Sequence, residues 1–142
     1  MTQQSPRDIQ KRTFDFGVRV VKMLDRLPRT LAAVELGRQV LRSGTSVGAN
    51  VQEADAAESR KDFIHKMGIA RKEAQETRYW LAIIRTAILL NDVEVEALWK
   101  ESDELSRILA AIVNKSRAKQ FAQLGALVLS FVICSFVILG VL

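Results

Sequence analysis

Apolar residues recur along this chain in alternating steps of three and four, and after Pro28 no proline interrupts them. A helix turns once in about 3.6 residues, so such spacing lays each apolar set along one face; a strand would alternate by two. The first set is Ile9, Phe16, Val20, Met23 and Leu27, with Thr13 filling one step. The second is Ala33, Gly37, Val40, Gly44, Val47, Val51 and Ala54. The third is Phe63, Met67, Ala70, Ala74, Thr77, Leu81, Ile84 and Ile88, and the fourth Val95, Leu98, Ser102, Leu105, Leu109 and Ile112. Seams of this kind pack as left-handed bundles, so the chain is predicted to be all-α.

Capping residues set the ends. Ser5-Pro6 with Asp8, Thr30, Ser59 with Asp62, and Asn91 with Glu94 each suit a helix start, and Pro28 closes the first helix. Helices are expected at about 6–27, 30–57, 60–90 and 92–118. Connections of a few residues force neighbours to run antiparallel, which makes residues 1–120 an up-down-up-down four-helix bundle. Ser43-Gly44-Thr45-Ser46 and Gly48 would ordinarily suggest a turn. The spacing runs through them without a phase break, so a continuous helix with a small-residue crossing point is preferred. Thr77 and Ser102 intrude into seams and are expected to bond back to their own helix.

The last nineteen residues, Leu124–Leu142, carry no charge. As a helix they would rise about 28 Å, close to the thickness of a bilayer's hydrocarbon core. The sequence therefore predicts a transmembrane helix over 121–142, to which the fourth helix can run on directly. Lys115, Arg117 and Lys119 precede it and no basic residue follows. That asymmetry places the bundle in the cytoplasm, with the tail as a C-terminal membrane anchor. The alternative is an apolar helix buried in an oligomer core.

Charge narrows the function. Twenty-one basic against sixteen acidic residues leave +5, all of it outside the apolar tail, which fits an anionic partner without requiring one. Cys134 is the single cysteine and lies in the tail, so one chain has neither a disulfide framework nor a zinc site. His65 is the single histidine and stands among charged residues, as a surface or interface residue does. No glycine loop of the phosphate-binding kind is present, and no nucleophile has a base. The chain is expected to be no enzyme and to use no metal or cofactor.

Two polar constellations stand out. Ser46, Asn50 and Glu53 form a stripe beside the second seam, with Glu53 in reach of Lys72 or Arg71; a network fixing helix register or a partner-recognition site would both use it. Arg71, Arg78 and Arg85 recur every seven residues, and Arg60, Lys61 and Lys66 enrich the start of the same helix. This row suits phosphate contact beside Tyr79 and Trp80, or pairing with Glu94, Glu96, Glu101 and Glu104 in the same or a neighbouring subunit.

The stretch RSGTSVGANVQEADAAESRKDFIHKMGIARKEAQETRYWLAIIR, residues 42–85, resembles the bacterial four-helix-bundle family named for the protein encoded in 23S ribosomal RNA intervening sequences. Ser46, Asn50, Glu53, Asp62-Phe63, Lys66 and the KEAQET run carry the resemblance, which extends more loosely over about 10–115. Ala54 stands where many relatives have glycine, and the apolar tail is outside the usual pattern. The resemblance implies a four-helix protomer that assembles into a ring-like homopentamer. It also implies likeness to an accessory protein of diversity-generating retroelements, which binds nucleic acid and a reverse transcriptase. Two functions are therefore expected: a membrane-anchored scaffold for RNA, DNA or a protein that handles them, or an oligomeric pore-forming effector of the kind used in phage defence.

Overall fold

The computed structural model describes residues 6–87, 89–90 and 92–138, with side chains from Asp8 to Val128 apart from 88, 91 and 126. Four helices make up the described chain: α1 (Pro6–Leu24), α2 (Leu31–Asp55), α3 (Arg60–Thr86) and α4 (Val93–Ile138). Each packs against its neighbour in sequence and α1 closes on α4, while the diagonal pairs stay apart. The four-helix, all-α expectation holds.

The caps explain the starts. Thr30 accepts a hydrogen bond from the Ala33 amide at 3.3 Å, and Ser59 from the Asp62 amide at 3.1 Å. Asn91 and Ser5 lie outside the described residues; Asp92 takes the capping role on α4, accepting from the Glu94 amide at 2.7 Å. Helix α1 ends at Leu24 rather than 27, because the Arg26 and Leu27 amides turn back to the Met23 and Leu24 carbonyls before Pro28.

Phe16, Val20 and Met23 of α1, Val40 and Val47 of α2, Leu81 and Ile84 of α3, and Leu98, Leu105 and Leu109 of α4 fill the core. Helix α2 is unbroken through the glycines, as expected. A Cβ at Gly44 would lie 3.0 Å from both Val20 methyls, and one at Gly48 would lie 3.2 Å from the Thr13 carbonyl oxygen. The glycines thus let α1 seat directly on α2.

The buried hydroxyls of Thr13, Ser43, Thr77 and Ser102 bond back to their own helices. The single proton of Thr77 is shared between the Glu73 carbonyl at 2.8 Å and Ser43 Oγ at 2.9 Å, while Ser43 donates to Gln39. Ser102 bonds back to Trp99, as the sequence suggested.

Helix α4, with 46 residues, outruns its partners. Arg78 meets Asp103 and Arg85 meets Glu96, so each heptad up α3 matches a heptad down α4. Continued to the start of α3, that register ends near residue 120, and α4 projects beyond. Phe121, Leu124, Leu127 and Val128 are all exposed there. No helix among the described residues is long and apolar enough to cross a membrane; most of the run expected to do so has side chains outside the described residues.

Candidate nucleic-acid interface

Cations along the bundle divide into those already occupied and those left open. The first group joins α1 to α4. Arg12 grips Glu101 with two hydrogen bonds, Nε to Oε1 at 2.6 Å and Nη2 to Oε2 at 2.9 Å, and reaches Glu104 at 2.9 Å. The hydrogen bond to Glu101 chiefly raises the Arg12 pKa, against the opposing effect of burial. Arg19 meets Glu94 at 2.7 Å and Arg26 meets Asp92 at 2.5 Å. Arg12 and Arg19 therefore clasp α1 to α4 through Glu94, Glu101 and Glu104, which the sequence had offered to α3, and Arg26 ties the turn after α1 to Asp92 just before α4.

The α3 row itself splits. Arg85 pairs with Glu96 and lies 4.3 Å from the Trp99 ring centre; Arg78 meets Asp103 at 3.4 Å and lies 5.1 Å from the same ring. Both guanidiniums are consumed within the chain, and the Arg85 hydrogen bond holds the Glu96 carboxyl below its usual range. Arg71 has no such partner.

What remains on α3 is an outer ridge. Lys61, His65, Gly68, Lys72, Gln75 and Tyr79 follow steps of four and three along the face of α3 opposite the core. Lys61, Arg71 and Lys72 are exposed and, among the described residues, without an ion-pair or hydrogen-bond partner; Arg60 at the helix start is the same. Tyr79 is 59% exposed and meets Trp80 edge to face at 4.9 Å. Beyond it a shallow hollow of about 380 Å³ is lined by Tyr79, Ala82, Ile83, Thr86 and Ala87. The sequence had missed Lys72 as part of this face because it stands off the seven-residue arginine spacing.

Ser46, Asn50 and Glu53 do not converge on one network. Asn50 donates to the Ser46 carbonyl at 2.9 Å within α2, and Glu53 pairs across to Lys66 at 2.5 Å. Lys66 therefore takes the place that Lys72 or Arg71 was expected to fill, and its pKa is raised by that hydrogen bond. Lys115, Arg117 and Lys119 are exposed on α4 near the foot of the bundle. No group of acidic, histidine or cysteine side chains among the described residues is arranged to hold a metal.

One carboxyl sits awkwardly. Glu73 Oε2 is buried without a hydrogen-bond partner, and burial, aided by the Glu76 charge and opposed by Arg42, pushes this carboxyl above the usual 4.5. The folded state then holds a proton more tightly than the unfolded one, so stability falls as pH rises from the usual value through the raised one. Glu73→Gln is expected to raise stability near pH 7, where the ionised carboxylate is held in its buried place. The gain should vanish near pH 4, and thermal melts at the two pH values check it.

Comparison with known proteins agrees with this architecture. The family model described as 23S rRNA-intervening sequence protein matches residues 7–111. A crystal structure of a protein with unknown function from the S23 ribosomal protein family of Bacteroides thetaiotaomicron is 34% identical. It covers 77% of this chain and 97% of its own, with a TM-score of 0.69. Comparison with curated proteins gives no match. On the span matched and the shared bundle, this chain belongs to the 23S rRNA-intervening sequence protein family.

Proposed function

We propose that this protein is a non-enzymatic, self-assembling scaffold that takes up a nucleic acid on the outer ridge of α3 and is tethered to a bilayer by the far end of α4. The observation that carries the reading is the set of unpaired cations Lys61, Arg71 and Lys72 beside the exposed Tyr79. Phosphates take ionic contacts from such side chains, and an open aromatic face accepts an unstacked base. Arg78 and Arg85 stand outside the site, since their charges are already met. A reverse transcriptase or similar protein would share the ridge by holding the same nucleic acid.

Self-association draws on a separate face. Phe14, Val18 and Val21 stand four and three apart on α1 and are 69%, 37% and 46% exposed, with Leu41 of α2 also open. A ring of copies, such as a homopentamer, would cover this strip. The pore-forming alternative draws on the projecting end of α4. It is the weaker reading, because residues 124–142 offer no charged side chain to line a path.

Full-length protein in detergent, titrated against labelled single-stranded RNA at low and moderate salt, tests the scaffold reading. Binding is expected to weaken with salt. The Lys61→Gln, Arg71→Gln, Lys72→Gln triple variant should lose roughly tenfold in affinity and reduce the slope of log affinity against log salt by about 2. Absence of binding at low salt, or a triple variant that binds like the parent, would sink the proposal.

A further inference from the structure

We propose that the stretch of α4 at the foot of the bundle is a docking surface for anionic lipid headgroups. The inference rests on the reading of α4 as a tether and adds the class of lipid that the tether selects. Lys115, Arg117 and Lys119 are exposed and, among the described residues, unpartnered. At 100° per residue, Lys115 and Lys119 share one side of the helix and Arg117 takes the other, so positive charge surrounds the rod. No acidic residue follows Glu104 anywhere in the sequence, so nothing nearby on this helix neutralises the three.

Depth makes the same point. Exposed apolar side chains begin at Phe121 and continue through Leu124, Leu127 and Val128. From Phe121 back to Lys119 the helix descends about 3 Å, and back to Lys115 about 9 Å. The headgroup layer of one leaflet is roughly 5–8 Å thick. With Phe121 at the edge of the hydrocarbon, all three cations fall at or beside the phosphate level. A nucleic acid could meet the charges but offers no apolar phase for the residues that follow. A membrane surface offers both.

Full-length protein synthesised cell-free beside preformed vesicles, then floated on a gradient at near-physiological salt, tests this. One vesicle set is phosphatidylcholine and the other contains one-third phosphatidylglycerol. A basic residue at an anionic surface contributes about fivefold, so three predict a preference on the order of 100-fold for the anionic vesicles. The Lys115→Gln, Arg117→Gln, Lys119→Gln variant should float equally with both sets. Arg71→Gln with Lys72→Gln, higher on the bundle, should keep the preference. Equal flotation of the parent with both sets overturns the lipid selectivity and leaves the tether standing. Flotation with neither overturns both readings. Release from anionic vesicles by added RNA, with phosphatidylcholine flotation unchanged, assigns the cations to nucleic acid and also overturns the inference.

Discussion

Phe16→Ala is expected to lower the unfolding free energy by about 3–5 kcal/mol, a large part of the 5–15 kcal/mol typical of a domain. Phe16 is among the largest fully enclosed side chains, at 1% exposure, and it belongs to the shortest helix. With 19 residues, α1 has few other side chains to commit to the core. Its close approach to α2 at Gly44 and Gly48 leaves no slack by which the cavity could collapse. Urea denaturation followed by circular dichroism checks the figure. A loss below about 1 kcal/mol would mean that α1 adds little to the cooperative unit.

Arg12→Met is expected to cost about 2–3 kcal/mol, more than an exposed ion pair is worth. The reason is what the change leaves behind. Glu101 has a side chain only 18% exposed, and Glu104 shares the same guanidinium, so two carboxylates would face each other without their cation. Replacing Glu101 by Gln in the Arg12→Met background should recover part of the loss, and a double-mutant cycle reads the coupling, expected above about 1 kcal/mol. A coupling near zero would mean that the clasp is ornamental and that α1 is held by apolar contact alone.

The legible part of this fold follows from periodicity. All seven seam residues assigned to α2, from Ala33 to Ala54, are buried, glycines included. The seams slip only at the ends of the packed stretches, where a 3.5-residue pattern drifts against a 3.6-residue helix. Ile64 is buried in α3 where Phe63 was expected, and Val113 in α4 where Ile112 was, while Phe63 and Ile112 pack at the edge. Partner choice was harder to read. Positions 94 and 101 lie on one flank of the α4 seam and 96 and 103 on the other. Periodicity does not say which flank meets α1 and which meets α3. The structure turns Glu94 and Glu101 to α1, and Glu96 and Asp103 to α3. Only after that division do the unclaimed cations, and hence the candidate ridge, become visible.

Because α4 is one uninterrupted helix from Val93 to Ile138, the bundle and whatever surrounds its far end share a single phase. The rod is roughly 69 Å long with no hinge along it. One residue inserted after Gln120 would turn everything beyond it by about 100° and advance it by about 1.5 Å, whereas seven would nearly restore the original facing. Orientation at the far end is thereby geared to orientation of the α3 ridge, and the chain reads as a shaft with its working face fixed in azimuth as well as height.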